Sequence, residues 1–155
     1  MSQYSKIEES QDIAKLRNAV VPLVGHRVRE ARLSQTGSLR VDFDPGVSTR
    51  GCRLGIYSVA WRLDSRESIV AASQDSPDFL SSSIATLGGQ RLVAAEVLSP
   101  SLDTTFRFTD VELRVFPAFS VVDNEDSIYW NLHLPSGYLL CAGPGSSWSV
   151  RRAVR

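Results

Sequence analysis

The chain has 155 residues, of which 43% are hydrophobic and 22% charged, and these values predict a folded globular unit rather than a disordered or fibrous chain. Lysine plus arginine equals aspartate plus glutamate, at 17 each, so no overall charge attracts nucleic acid or an anionic membrane. The N-terminus is polar and no window approaches 18 consecutive apolar residues, which predicts a cytoplasmic protein with neither a secretory signal nor a membrane span.

The first predicted element is a helix that follows a polar N-terminal arm over residues 1–9. It opens at Ser10 and is rich in residues that favour helices. Apolar residues then recur at helical spacing, at Ile13, Leu16, Val20 and Leu23. This spacing places them on one face of a helix of about three turns, which ends before Gly25.

Five β-strands are predicted after this helix. They lie in the stretches HRVREARL, SLRVDF, CRLGIYS, AWRLD and SIVAAS. Alternation of apolar and polar residues with a period of two is typical of a half-buried strand. Between the second and third strands, the stretch DPGVSTRG (Asp44 to Gly51) predicts a flexible loop.

The second half of the chain predicts the same series of elements. Ser76 as N-cap, Pro77 as first helical residue and Asp78 in the first turn indicate a second helix. The strands that follow lie in QRLVAAEV, TTFRF, VELRVFP, YWNLHL and YLLCAG. Trp61 and Trp130 occupy equivalent fourth strands, which predicts that both pack in the core.

The two halves also match directly at an offset of 64 residues. Leu23 aligns with Leu87, Gly25 with Gly89 and Arg27 with Arg91. We therefore predict an α+β fold of two tandem repeats, residues 10–75 and 76–150, followed by a basic tail at 151–155. Each repeat is one helix and an antiparallel meander of about five strands, and the repeats pack as a pseudo-twofold pair in a single compact unit. Strand periodicity leaves open whether the sheets form a sandwich or one continuous sheet.

A loop present only in the second half, Pro117 to Ile128, is the predicted binding region. It joins apolar residues to the acidic run DNED, and without the Arg tail the second half is acidic. The run lacks the alternate ligands, glycine turn and distal glutamate of a Ca²⁺ loop. A solvated turn is the simpler interpretation; a recognition loop for a protein partner is the functional one. The predicted partner-binding residues are Phe119, Asp123, Asn124, Glu125 and Asp126.

Histidines and cysteines do not form a recognisable catalytic or metal-binding motif. His26 and His133 have no zinc-ligand spacing, so no metal and no cofactor are predicted. Cys141 alternates with apolar neighbours as a core thiol does, whereas Cys52 follows the Arg50-Gly51 loop and is the more exposed candidate. A pairing of Cys52 with His26 is the best catalytic candidate, without further support in the sequence.

Charged residues on the predicted strands have simple structural interpretations. Asp42 and Asp44 alternate outward beside Arg40, a pattern typical of a solvated sheet face. The stretch HRVREAR is the densest basic segment. It lacks the interleaved aromatic residues of a nucleic-acid surface, so a paired surface strand is the favoured interpretation.

The repeated L-x-G-x-R motif and the closing W-x-L-x-x-P-x-G…G-P-G-x-x-W motif resemble an uncharacterised family of small bacterial proteins with a duplicated helix-plus-β-meander repeat. Its members resemble the immunity-type proteins that accompany bacterial toxins. The resemblance runs from about residue 23 to residue 150. It implies a binding protein and supplies no catalytic residues.

Three hypotheses for function follow from the sequence. The first is a non-catalytic cytoplasmic protein-interaction module, immunity-like or defence-associated, that binds another protein through the second half. The alternative is a small-ligand binder or enzyme with a site at the junction of the two repeats, using His26 or Cys52. The third is a structural subunit that self-associates through exposed sheet edges.

Overall fold

Two α-helices and twelve β-strands make up the described part of this computed structural model, which covers residues 4–6, 10–44, 51–57, 59–117 and 128–152. The strands form two antiparallel sheets. The α+β class predicted from the sequence is therefore confirmed.

The two helices lie where the sequence predicts them. α1 spans Ser10–Val20 and α2 spans Pro77–Ile84, and each is extended by one 3₁₀ turn. The helical apolar face is buried in both cases, at Ile13, Leu16, Val20, Leu23, Leu80, Ile84 and Leu87. The chain leaves the helical segments through Gly25 and Gly89, whose φ angles of 92° and 88° strain any residue with a Cβ.

The strands are, in chain order, β1 Tyr4–Lys6, β2 Val28–Leu33, β3 Leu39–Phe43, β4 Cys52–Ile56, β5 Ala60–Ser65, β6 Ile69–Ala72, β7 Leu92–Val97, β8 Thr104–Phe108, β9 Val111–Phe116, β10 Trp130–His133, β11 Tyr138–Ala142 and β12 Ser147–Arg152. Ten of them match predicted strands. The other two, β1 and β12, were not predicted, and they pair with each other.

The strand order differs from the predicted meanders. One sheet has seven strands in the order β1-β12-β11-β10-β4-β3-β2, and the other has five in the order β6-β5-β9-β8-β7. The prediction that five strands of each half pair consecutively is therefore wrong at the fourth strand. Between β4 and β5, and again between β9 and β10, the chain leaves one sheet and enters the other. Each half thus contributes its first three strands to one sheet and its later strands to the other.

The exchanged strands pair in matching registers. In the seven-stranded sheet, Trp130 lies opposite Ile56 and Leu132 opposite Leu54. In the five-stranded sheet, Trp61 lies opposite Val115 and Leu63 opposite Leu113. All eight side chains are buried, so the same type of apolar pair fills the core at both exchange points.

The sheets meet along the edges formed by β2 and β7. Arg27 and Arg91 form an antiparallel bridge there. Four backbone hydrogen bonds flank it: Gly25 N to Leu92 O at 2.8 Å, Gly89 N to Val28 O at 2.8 Å, Val28 N to Gln90 O at 2.7 Å and Leu92 N to His26 O at 3.1 Å. Each of these bonds has a counterpart at the offset of 64 residues seen in the sequence.

The core lies between the two sheets. Phe106 of the five-stranded sheet packs edge-on against Trp130 of the seven-stranded sheet, with ring centroids 5.3 Å apart, and Trp130 Nε1 donates a 3.0 Å hydrogen bond to Thr104. Trp61 and Trp130 are both buried, as predicted. The sheets therefore face each other as well as joining at one edge.

Each helix packs against strands that begin the other half. α1 contacts β7, and α2 contacts β2 as well as β6. Arg17 on α1 donates a 2.9 Å hydrogen bond to the carbonyl of Val97 at the end of β7. Each helix is thereby held against the half of the chain to which it does not belong.

Candidate binding surfaces

The loop residues proposed for partner binding, Phe119, Asp123, Asn124, Glu125 and Asp126, lie outside the described residues. Their role in binding stays a prediction. Among the described residues, the chemically distinctive positions lie on the sheet faces that point away from the core.

The outer face of the seven-stranded sheet carries two rows of residues, of which all but one have polar or charged side chains. The first row runs across the strands through Arg32, Arg40, Gly55 and Asn131, and the second through Glu30, Asp42, Arg53 and His133. Each neighbouring pair in a row consists of directly opposed residues. We call these eight residues the cationic face, because arginine is its commonest charged residue.

Asp42 and Arg53 form the only ion pair among the described side chains of this face. Arg53 Nε lies 2.7 Å from Asp42 Oδ1. Asp42 is buried at 4% exposure, so the prediction that it belongs to a solvated face is wrong. Strand alternation correctly predicted that Asp42 points away from the apolar core, but it did not reveal that Asp42 is buried and paired with Arg53 of β4.

His133 ends β10 beside these two residues, half-buried. Burial, which disfavours the charged imidazolium, lowers its pKa most, and the positive charges of Arg53 and Arg40 lower it further. The register places His133 directly opposite Arg53 on the outer face of the sheet. The imidazole is therefore neutral at neutral pH and is exposed to two nearby guanidinium charges.

Arg32 and Arg40 are directly opposed on β2 and β3. Like charges at directly opposed positions of a sheet are destabilising. Among the described residues, neither guanidinium lies within 4.0 Å of a carboxylate, since the ion pairs of this sheet are limited to Asp42 with Arg53. The cationic face thus presents two arginines that form no ion pair with a described carboxylate, and Glu30 of the same face forms none with a described arginine.

Gly55 makes room for an aromatic side chain on the same face. A Cβ at residue 55 would lie 2.8 Å from the Tyr57 hydroxyl and 2.8 Å from Asn131 Oδ1. The Tyr57 hydroxyl donates a 3.3 Å hydrogen bond to that amide oxygen. A glycine inside a strand marks such a close approach, and this signal is visible in the sequence stretch CRLGIYS.

The outer face of the five-stranded sheet has the opposite character. Its charged residues are Arg62, Asp64, Glu96, Arg107, Glu112 and Arg114, which we call the ion-pair face. Asp64 contacts Arg62 at 2.8 Å and Arg114 at 3.2 Å, and Glu112 contacts Arg107 at 3.1 Å and Arg114 at 2.9 Å. Glu96 completes the network through Arg107. Every arginine of this face therefore has a carboxylate partner.

The cysteines do not support nucleophilic catalysis. Cys52 is buried at 1% exposure, so the prediction that it is the more exposed thiol is wrong: β4 turns it to the core side, opposite Phe43. Burial raises the pKa of Cys52. Burial also raises the pKa of Cys141, against the opposing effects of Arg151 and Ser149. A raised pKa lowers the fraction of reactive thiolate at neutral pH.

His26 is held by the backbone rather than by Cys52. Its Nδ1 lies 3.1 Å from the carbonyl oxygen of Asp44. Because a carbonyl oxygen only accepts hydrogen bonds, Nδ1 carries the proton. No hydrogen bond joins His26 to Cys52 in the described part of the chain, which leaves the proposed catalytic pair without structural support.

Neither a metal site nor a membrane-spanning helix occurs in the described ranges. No three His, Cys, Asp or Glu side chains cluster there closely enough to hold a metal ion. None of the helices in those ranges has the length and apolar character needed to cross a membrane.

No protein-family model, curated protein or solved structure matches this chain.

Proposed function

We propose that this protein is a non-catalytic interaction module that binds an acidic segment of a partner protein on the cationic face. The observation that carries the proposal is the opposed pair Arg32 and Arg40, whose charges no described carboxylate neutralises. The equivalent outward surface of the other sheet neutralises all of its arginines. An acidic segment would supply the missing negative charge.

Several properties of the cationic face suit a protein partner. Arginine and tyrosine contribute strongly to protein interfaces, because each combines apolar area with directional hydrogen bonding. Tyr57 is 37% exposed beside this face, and Arg53 keeps 42% of its side chain exposed although it pairs with Asp42. Guanidinium groups bind carboxylates with two parallel hydrogen bonds, so charge complementarity favours aspartate and glutamate in the partner.

The class of partner comes from the resemblance to immunity-type proteins. We propose a toxin or other defence effector in the cytoplasm, bound without any chemical step. The acidic loop residues Asp123 to Asp126 remain a separate prediction for contacts with the same partner. The two surfaces have opposite charge, so charge-reversing variants distinguish them.

We also propose that the two halves are copies of one unit related by a pseudo-twofold axis near Arg27 and Arg91. Three observations support this: the bridge hydrogen bonds recur at an offset of 64 residues, β2 and β7 carry register shifts at Val28/Glu30 and Leu92/Ala94, and the exchanged strands pair in matching registers. On this proposal the cationic face and the ion-pair face are equivalent surfaces that have diverged.

The test begins with affinity purification of the tagged protein from its native host, followed by mass spectrometry. The captured partner is then purified and its affinity measured for the wild type, Arg40→Glu and Arg66→Glu. Arg40→Glu places a carboxylate opposite Arg32, so it removes the unneutralised charge without weakening the sheet. Arg66 is an exposed arginine in the turn between β5 and β6 and is the matched control.

We expect Arg40→Glu to weaken binding about tenfold or more, because a charge-assisted hydrogen bond is lost and a repulsive charge gained. Arg66→Glu should bind like the wild type. Equal affinities for the wild type and Arg40→Glu would refute the cationic face as the binding surface. If reversal of Asp123, Glu125 and Asp126 alone abolished binding, the surface would be the acidic loop instead.

A further inference from the structure

A small cleft opens where the edges of the two sheets meet. Its volume is about 310 Å³, and the described residues of its lining are Gly25, His26, Arg27, Asp44 and Arg91. These residues come from both halves of the chain, which the bridge between β2 and β7 brings together. The cleft is separate from the cationic face and from the ion-pair face, with which it shares no residue.

Arg27 and Arg91 are directly opposed across the antiparallel bridge that joins the two sheets. The bonds from Val28 N to Gln90 O and from Leu92 N to His26 O flank them on either side. This pattern defines a non-hydrogen-bonded antiparallel pair, in which the Cα atoms are about 4.5 Å apart and the side chains project to the same side. Both arginine side chains therefore start on the same side of the bridge, and both line the cleft.

The charges of this pair are not neutralised within the described residues. Neither guanidinium forms an ion pair there with a carboxylate, and Asp44, which also lines the cleft, is not within 4.0 Å of either. Arg91 uses one N–H to donate a 2.7 Å hydrogen bond to the carbonyl of Gly25. A guanidinium has five N–H donors, so most donors of both arginines remain available.

His26 adds a third group with a fixed orientation. Its Nδ1–H donates to the carbonyl of Asp44 at 3.1 Å, which holds the imidazole in the cleft lining. Nε2 is then the nitrogen left to interact with a ligand, as an acceptor when neutral and as a donor when protonated.

We infer that this cleft binds a tetrahedral oxyanion: inorganic phosphate or the phosphoryl group of a small phosphate ester. A phosphate carries close to two negative charges near neutral pH, which matches two adjacent guanidiniums. Each guanidinium can donate two parallel hydrogen bonds to its oxygens. The volume suits an ion or a small ester, and the site does not depend on the proposed protein partner.

The test is a titration of the full chain with inorganic phosphate at pH 7.5 and constant ionic strength. Isothermal calorimetry gives the affinity, and backbone amide NMR shifts locate the ion. We expect saturable binding, with the largest shifts at the amides that hold the bridge together, including those of Gly25 and Gly89. Shifts centred instead on the cationic face, or no saturation above the effect of added chloride, would refute the cleft as the site.

Three variants sharpen the test. Arg27→Gln removes a side chain that makes no hydrogen bond or ion pair in the described structure, so the fold should be retained, and we expect phosphate affinity to fall about tenfold. Asp44→Asn removes the negative charge of the lining but keeps the carbonyl that holds His26, so affinity should rise about threefold or more. Arg29→Gln changes an exposed arginine outside the lining and should leave affinity unchanged.

The results of these variants decide the inference. An unchanged affinity for Arg27→Gln would refute it, as would an equal loss for Arg29→Gln, which would indicate nonspecific charge attraction. A parallel titration with phosphoserine distinguishes the two sources of the phosphoryl group. Phosphoserine binding at least tenfold more tightly than phosphate would assign the cleft to an ester, and equal or weaker binding would assign it to the free ion.

Discussion

The two outward sheet faces differ in how their charges are arranged, although both rest on similar apolar pairs. On the ion-pair face, Arg62, Arg107 and Arg114 each contact at least one carboxylate. On the cationic face, Arg53 has a carboxylate partner, while Arg32 and Arg40 oppose each other without one among the described residues. Every arginine of the ion-pair face is thus paired with a described carboxylate, whereas two arginines of the cationic face are not.

The comparison is instructive because the strand registers correspond. Asp64 follows Trp61 by three residues on β5, and His133 follows Trp130 by three residues on β10. Asp64 lies opposite Glu112 and His133 lies opposite Arg53. Folding requires the buried pairs on the inner side of these strands, whereas exposed ion pairs contribute little to stability. The outward residues of the two sheets can therefore differ with little effect on the free energy of unfolding. For this reason the difference in charge between the two faces is informative about binding.

The largest expected effect concerns the inner sides of the two sheets, at the tryptophans. Trp130 is fully buried, packs on Phe106 and donates a hydrogen bond to Thr104, whereas Trp61 is 4% exposed and has no such ring contact or side-chain hydrogen bond among the described residues. We expect Trp130→Ala to lower the free energy of unfolding by about 4–5 kcal/mol and Trp61→Ala by about 3–4 kcal/mol. Urea denaturation monitored by circular dichroism measures both. Equal losses would show that the two tryptophans contribute alike, and a larger loss for Trp61→Ala would contradict the prediction.

The next effect concerns the contact beneath Tyr57 on the cationic face. Gly55→Ala introduces a Cβ 2.8 Å from both the Tyr57 hydroxyl and Asn131 Oδ1, so one of them must move. We expect a loss of about 1–3 kcal/mol in the free energy of unfolding, typical of overpacking. Gly51→Ala is the matched control, since a Cβ there meets nothing within 4 Å, and its stability should be close to that of the wild type. A neutral Gly55→Ala variant would mean that Tyr57 is not held in place.

A smaller effect on stability distinguishes the buried carboxylate Asp42 from the more exposed carboxylate Asp64 of the ion-pair face. Asp42→Asn weakens the bond to Arg53 at a carboxylate that is only 5% exposed, and we expect a loss of about 1–2 kcal/mol. Asp64→Asn should cost less, because the Asp64 side chain is 16% exposed and solvent screens its ion pairs more strongly. Raising sodium chloride from 0.05 to 0.5 M should reduce the cost of Asp64→Asn more than that of Asp42→Asn. If salt reduced the cost of Asp42→Asn more than that of Asp64→Asn, the ion pair of the cationic face would be the more strongly screened one, contrary to this prediction.

The local features of this fold could be predicted from the sequence. Both helices, ten strands, the two glycine turns and the buried tryptophans follow from periodicities of 3.6 and 2 and from turn residues, which act over a few neighbouring positions. The exchange of strands between sheets could not be predicted in this way. Whether β4 pairs with β5 or with β10 depends on contacts between residues far apart in the chain, such as Leu54 with Leu132.

The candidate surfaces were predictable only in part, for the same reason. Alternation identified the outward side of β3, but the burial of Asp42 depends on β4, which the pattern of β3 does not include. The burial of Cys52 likewise depends on the register that sets it opposite Phe43. The closeness of Arg27 and Arg91 was not predicted either, because it depends on the bridge that joins the edges of the two sheets.

The smallest expected effect is a pH dependence that belongs to the cationic face. Burial and the charges of Arg53 and Arg40 lower the pKa of His133, whereas in the unfolded chain it is about 6.5. As the pH falls below about 6.5, the unfolded state therefore binds a proton that the folded state resists, and the free energy of unfolding decreases. Above about pH 7.5 the residue is neutral in both states and contributes no pH dependence. We expect His133→Gln to remove this part of the decrease between pH 7.5 and 5, measured by urea denaturation, while the contribution of the other titrating groups stays the same in both proteins. If the wild type and the variant lost stability in parallel, neither burial nor the charges of Arg53 and Arg40 would lower the pKa of His133 in the folded protein.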